Sequence, residues 1–197
     1  TIGQESLFLT LVLHFGTALS TMVVFKNEII EILKGLFQLK WNDDMRFSLK
    51  IIISMIPAAL VGLFLQDQIE ALFSQNLILV GTMLLITSIF LFLADRATHT
   101  EKKVSYSNAF VLGVVQAVAI LPGISRSGST IASAVLLGID RQKAARFSFL
   151  MVLPLIFGSM AKTLIDMQGV PENTNMLQLI LGFTAAFFSG ILACRWM

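Results

Sequence analysis

The sequence predicts an all-α polytopic membrane protein, an inverted-topology repeat with five spans and one re-entrant helical hairpin. Three observations lead there. The 197-residue chain is 56% hydrophobic and only 13% charged, with a mean hydropathy of +0.83, whereas a soluble domain carries about 25% charge. Its apolar residues fall in runs long enough to cross a bilayer, which takes ~20 residues. And the apolar stretch from Phe110 to Leu137 is interrupted at its middle by Pro122-Gly123-Ile124-Ser125-Arg126-Ser127-Gly128-Ser129-Thr130. An arginine at the centre of a span costs roughly 2.5–3.5 kcal/mol on insertion scales, so its presence there asks for a reason.

The spans are expected at Ser6–Phe25, Phe47–Leu65, Leu77–Ala94, Phe147–Ile165 and Leu177–Cys194. Between the first two, Glu28–Lys40 sets Ile29, Ile30, Leu33, Leu36 and Phe37 on one helical face and Glu31, Lys34 and Gln38 opposite. That pattern suits a helix lying in the membrane interface. Lys and Arg in short loops set orientation. Loops Lys26–Arg46, Asp95–Ser105 and Gly138–Arg146 are basic and read as inside; Gln66–Asn76 and Asp166–Met176 hold no Lys or Arg and read as outside.

Tyr106–Leu137 therefore starts and ends inside. Its arms, Ser107–Leu121 and Gly128–Leu137, are each too short to span, so it is expected to enter and leave on one face, with Pro122–Ser127 at the tip. The alternative is a single tilted span, which would put one basic loop outside. Residues 1–197 read as one integral membrane domain: 1–105 as the remainder of a first repeat, 106–197 as a second repeat opening with the hairpin at 106–137. His14-Phe15-Gly16-Thr17-Ala18 lines up with Ile156-Phe157-Gly158-Ser159-Met160, and Leu49–Gly62 with Leu177–Gly190. The orientation makes the paired segments run in opposite directions, the arrangement in which broken helices build a midplane site. By the repeat offset, a first hairpin belongs about 35 residues before Thr1. The expectation is truncation at both ends, or natural loss; the chain lacks an initiator Met and a basic leader.

At the tip, Arg126 offers a planar fork of donors for phosphate or carboxylate. Ser127 or Ser129 is expected to cap the following half-helix, whose positive end and free N–H groups favour an anion. Gly123 and Gly128 are expected to permit unusual backbone angles and close ligand approach. Thr130 would reach the same ligand or cap locally. Gln116 reads either as a site residue or as an interhelical hydrogen-bonding group. Ser133 and Gly158 are assigned to packing, and His14, mid-span, to a satisfied packing role. No metal-ligand set is read from the sequence. The net charge of +2 gives no argument for nucleic acid, and Cys194, the lone cysteine, excludes an intrachain disulfide.

Gly113-Val114-Val115-Gln116, then Leu121 through Thr130, then Arg146-Phe147-Ser148-Phe149-Leu150 and Pro154 carry a resemblance. His14-Phe15-Gly16-Thr17 and Met55-Ile56-Pro57-Ala58 extend it. Here the chain resembles the bacterial undecaprenyl-diphosphate phosphatase family of the bacitracin-resistance type. The resemblance implies hydrolysis of a polyprenyl diphosphate to the monophosphate in the bacterial plasma membrane, which recycles the lipid carrier of cell-wall synthesis. It implies six spans and two opposed hairpins. Ser125, Arg126, Ser127 and Thr130 would act on the diphosphate, and Gly123, Gly128, Ser129 and Gln116 would bind it. It also implies a divalent cation, Mg2+, with its ligands expected upstream of this chain. A homodimer is a further partner arrangement. The family's first hairpin, with its Glu-rich motif and a serine-rich stretch ending in His, has no match here. At the equivalent places in the second hairpin stand Ile120, Arg126 and Ser129. As written, the chain is expected to hold half an active site and to be inactive alone. The competing reading is a transporter or flippase for a phosphorylated lipid or other anion, which uses the same architecture without hydrolysis.

Overall fold

The computed structural model describes residues 2–38, 41–65, 77–98, 100–166 and 175–196. Among these it is helical throughout, apart from one isolated β-bridge. The helices are α1 (Ile2–Val24), α2 (Lys26–Gln38), α3 (Asp43–Phe64), α4 (Leu77–Asp95), α5 (Tyr106–Val118), α6 (Arg126–Leu136), α7 (Arg141–Asp166) and α8 (Met176–Trp196). Four of them, α3, α4, α7 and α8, are long and apolar enough to cross a membrane, and α1 with α2 makes a fifth if that bent pair is one span. The chain is an all-α polytopic membrane protein. The two loops read as outside, Gln66–Asn76 and most of Asp166–Met176, lie outside the described residues, as do the last two residues of the expected interfacial helix.

Helices α3 and α7 begin four and six residues ahead of their apolar runs. Asn42 caps α3 by accepting from the Met45 amide at 2.8 Å, and Asp140 accepts from the Lys143 amide at 3.0 Å before α7. Hydropathy marks the membrane's thickness; a capped helix continues past it into polar residues. The chain breaks at Phe25, and α2 turns 79° away from α1. That angle suits an amphipathic helix along the membrane plane.

The chain divides into two compact units, Lys34–Met151 and Thr1–Leu33 with Val152–Met197. In the second of these, α1 packs along α8. Small residues form the seam: Gly16 lies against the Phe183 carbonyl, and Gly190 against Ser20. Small side chains let membrane helices approach closely. Gly158, assigned to packing from the sequence, instead has open space around it, although its repeat counterpart Gly16 is packed. His14 donates from Nδ1 to the Thr10 carbonyl at 2.8 Å but lies on an exposed face, so its expected packing role does not hold.

In the Lys34–Met151 unit, α5 packs on α3 and folds back through a turn into α6, which packs on both α5 and α4. At Gly113 the α5 backbone meets the backbone of Ser54 so closely that a Cβ would overlap it. Helix α6 ends in a Schellman motif: Ile139 N–H bonds the Ala134 carbonyl at 3.0 Å, Gly138 N–H bonds that of Val135 at 2.9 Å, and Gly138 takes a positive φ of 78°. The hairpin's feet are tied together. Lys102 bridges Ile139, Asp140 N–H bonds the Lys102 carbonyl at 3.2 Å, and Lys143 Nζ bonds the Glu101 carbonyl at 2.9 Å. Arg141 reaches the C-terminal end of α4, bonding the Asp95 carbonyl at 2.6 Å. That end carries negative dipole charge, which a guanidinium offsets. The two basic loops thus sit together at one end of the unit.

If Tyr106–Leu137 enters and leaves on one membrane face, cysteines replacing Ser105 and Gln142 in a Cys194→Ser background should be modified by an impermeant thiol reagent from the same side. Modification from opposite sides would require Tyr106–Leu137 to cross.

Candidate functional site

The site is built at the turn between α5 and α6. The last turns of α5 tighten, with Ile120 and Leu121 amides bonding the carbonyls of Ala117 and Val118 at 3.3 and 3.1 Å. Pro122 has no N–H to continue the ladder. Gly123 takes a φ of 89°, and a Cβ there would stand 2.5 Å from the Val80 carbonyl oxygen of α4. The tip therefore docks on α4 through bare backbone.

Ser125 then starts α6. Its backbone is extended, and its Oγ accepts from the Gly128 amide at 3.2 Å. The expected cap was Ser127 or Ser129. The structure corrects this: only a residue outside the helix, with an extended backbone, can turn its oxygen onto the third amide. The Ser125 amide is held by Thr87 Oγ1 of α4 at 3.3 Å, and Thr87 in turn donates to the Met83 carbonyl at 3.0 Å. Arg126 and Ser127 accordingly belong to the first turn of α6 rather than to the loop.

Ser125, Arg126 and Ser127 are exposed. Among the described residues no hydrogen bond or ion pair engages the Arg126 guanidinium. The amides of Arg126 and Ser127 have no helical carbonyl to bond. A free guanidinium, two outward amides, the Ser127 hydroxyl and a helix end worth about +0.5 elementary charge converge at one place. Such a group of donors has the chemistry that suits an anion.

The remaining expected residues separate from this trio. Thr130 is 1% exposed; its Oγ1 back-bonds to the Arg126 carbonyl at 2.9 Å and pairs with Ser148 of α7. It braces the first turn of α6 from its buried side. Ser129 is also buried. Gly123 and Gly128 were expected to admit a ligand closely. Their close neighbours are protein: Val80 for Gly123, and for Gly128 the Ser125 hydroxyl, 2.9 Å from where a Cβ would be. Both glycines shape the turn. Gln116, in the last turn of α5, is 1% exposed, and neither of its amide atoms finds a partner among the described residues. Ser133 is buried as expected of packing. Thr87, Val80 and Ser148 were missed, since a hydroxyl or a carbonyl in an apolar run carries no sign of which neighbour it meets.

The tip does not fit a metal. Its groups are donors, whereas a hard cation takes oxygen ligands such as carboxylates. Among the described residues no three His, Cys, Asp or Glu side chains come together to hold an ion.

Thr87→Val keeps the shape of α4 but leaves the Ser125 amide unpaired. The bond is part-buried, and a hydrogen bond contributes about 0.5–1.5 kcal/mol net, so the thermal midpoint of the detergent-solubilised protein should fall by a small, measurable amount. An unchanged midpoint would mean that water or lipid headgroups replace the bond.

The family described as bacitracin resistance protein BacA matches residues 2–197. The chain is 58% identical to an undecaprenyl-diphosphatase of Christiangramia forsetii, over 100% of this chain and 74% of that one. It is 46% identical to the protein of that name in Bacteroides thetaiotaomicron, over 99% and 75%. With the undecaprenyl-diphosphatase of Methanococcus vannielii it shares 42%, over 91% and 70%. A family match across residues 2–197, with a relative 58% identical over essentially the whole chain, places this chain in the BacA family.

Proposed function

We propose that this chain serves the hydrolysis of undecaprenyl diphosphate, or a related polyprenyl diphosphate, to the monophosphate and inorganic phosphate. The setting is the bacterial plasma membrane, where the reaction recycles the lipid carrier of cell-wall synthesis. The carrying observation is the unpartnered Arg126 guanidinium on the capped N-terminus of α6. The substrate's diphosphate is an anion at the boundary of an apolar tail, and this tip offers donors beside apolar helix faces. Arg126 would clamp phosphoryl oxygens in two parallel hydrogen bonds. The Ser127 hydroxyl and the outward amides of Arg126 and Ser127 would take the remaining oxygens. Ser125, whose oxygen accepts the cap bond, keeps its O–H to donate. Preorganised donors of this kind stabilise charge that develops on a transferring phosphoryl group.

Ser129 and Thr130 enter this reading as supports, and Gly123 and Gly128 as shapers of the turn. Gln116 enters as a substrate-side hydrogen-bonding group, on the ground that its buried amide lacks a partner. The tip contains no acid, base or metal ligand, so it supplies binding and charge stabilisation, and the attacking group comes from elsewhere. The Mg2+ expected from the resemblance remains part of the reading, without a ligand assigned among the tip residues and without a step routed through it. The inverted repeat, with Tyr106–Leu137 as a re-entrant hairpin, is the architecture we infer around the site. The expected homodimer carries over as a separate proposal, open to a mass measurement in detergent.

In the full-length protein, Arg126→Ala should lower kcat as well as kcat/KM for phosphate release by about two to three orders of magnitude, the equivalent of ~2.7–4 kcal/mol. Arg126→Lys keeps the charge but loses the fork, and should also fall. Near-normal phosphate release by Arg126→Ala would move the arginine to a transport step and favour the flippase.

Gln116→Leu separates a ligand role from a packing role. Replacing an unsatisfied buried amide with an apolar side chain should hold or raise the thermal midpoint. Turnover should nevertheless fall if the amide binds substrate; full turnover would assign Gln116 to the fold.

A further inference from the structure

Helix α1 shows two distinct polar and packing faces. Leu9, Leu13, Gly16 and Ser20 turn toward α8, where Leu9 and Leu13 lie against Gly182, Gly16 against Phe183 and Ser20 against Gly190. Thr10, His14, Thr17 and Thr21 recur at i, i+4, i+7 and i+11, about 100° around the helix from that seam. Thr10, His14 and Thr17 are exposed and Thr21 half-buried. The anion site uses none of them.

A threonine alone would be compatible with acyl chains. Its hydroxyl can spend its proton on a helix carbonyl. Thr17 does so toward His14 at 2.9 Å, and Thr21 toward Thr17 at 2.9 Å. His14 cannot. A carbonyl only accepts, so the Nδ1 bonded to Thr10 carries the proton, and in the neutral ring Nε2 is left as an outward lone pair. Facing hydrocarbon, that acceptor would be unsatisfied at a cost of several kcal/mol. The exposed surface of α4 shows the contrast: Leu77, Ile78, Leu85 and Ile89 are exposed and apolar, as a lipid-facing helix requires.

We propose that the α1 face formed by Thr10, His14 and Thr17 borders water within the membrane-embedded protein, with His14 Nε2 as its central hydrogen-bond acceptor; Thr21, the next residue along, turns toward α8, its hydroxyl 4.0 Å from Cys194 Sγ. The chemistry selects the occupant. With its proton committed inward, the Thr17 oxygen presents an acceptor beside the imidazole Nε2, and the small donor that pairs with both is water. An anionic headgroup would need donors, which this face does not offer. The significance rests on the hydrolytic reading, since hydrolysis consumes water at membrane depth; the hydration of the face does not.

The test therefore avoids activity. In a Cys194→Ser background, Thr17→Cys should react with an impermeant methanethiosulfonate reagent at least about tenfold faster than Leu85→Cys on α4, because the reacting thiolate forms in water and not in hydrocarbon. Adding His14→Phe should slow Thr17→Cys by about tenfold, while His14→Gln, which keeps an acceptor, should hold the rate within about threefold. Each variant is first shown to elute from detergent as the parent does. If His14→Phe fails that check, the comparison of Thr17→Cys with Leu85→Cys decides alone. Reaction of Thr17→Cys as slow as Leu85→Cys overturns the proposal, whether lipid, a second copy or another protein segment covers the face. Loss of phosphate release by Arg126→Ala, or its persistence, bears only on the hydrolytic reading.

Discussion

A helix that begins among apolar residues must dispose of its first amides, and in the Lys34–Met151 unit that requirement organises the hairpin. The Ser125 oxygen takes the Gly128 amide, and Thr87 takes the amide of Ser125 itself. Gly128 has no Cβ because the capping hydroxyl occupies the space where one would stand. Gly123 has none because the turn into the cap needs a positive φ and brings the backbone onto Val80. Proline, two glycines, a serine and a threonine from another helix thus serve one hydrogen-bonding problem. Once it is solved, the next residue must be the first of the helix, and its side chain points away from the unit. That residue is Arg126.

The consequence is a division between residues that hold the arginine and residues that meet the ligand. Thr130 and Ser148 lock the first turn from its buried side, and the Thr130 hydroxyl binds the Arg126 carbonyl. At the other end, Lys102, Arg141 and Lys143 bind backbone carbonyls that join the hairpin's two feet and anchor them to α4. The hairpin is held at its base by cations on carbonyls and at its tip by backbone contact. The backbone that carries Arg126, with the amides at the start of α6, therefore needs little reorganisation when a phosphoryl group arrives, which is the condition under which a donor lowers a barrier.

Apolar runs, basic loops and the interrupted stretch at Pro122–Thr130 were sufficient to read the membrane class, the helices and the helical turn that carries Arg126 from the residues alone. These are local or compositional quantities: length against bilayer thickness, charge against membrane side, and a guanidinium in an apolar segment. The family resemblance was legible for the same reason, because its motif lies within one continuous segment. Which serine caps α6, and that Thr130 is turned inward, were not legible. Four hydroxyls within six residues are chemically alike, and only the backbone angle at Ser125 and the presence of Ser148 tell them apart.

The remaining differences belong to tertiary structure. Gly16 and Gly158 stand in sequence segments that line up with one another, yet one is packed and the other has open space, since packing depends on the neighbour and not on the glycine. Thr87 and Val80 support the tip although 38 residues separate Thr87 from Ser125. Gln116 offered two roles in the sequence, and its burial without a partner is a fact of the assembled helices. The sequence by itself determined the membrane class, the helical hairpin and the arginine at its tip, because these follow from hydropathy, charge and backbone chemistry along the chain. The tertiary structure alone decided which side chains of the tip stay exposed and which hold the turn, because that depends on contacts between helices distant in sequence.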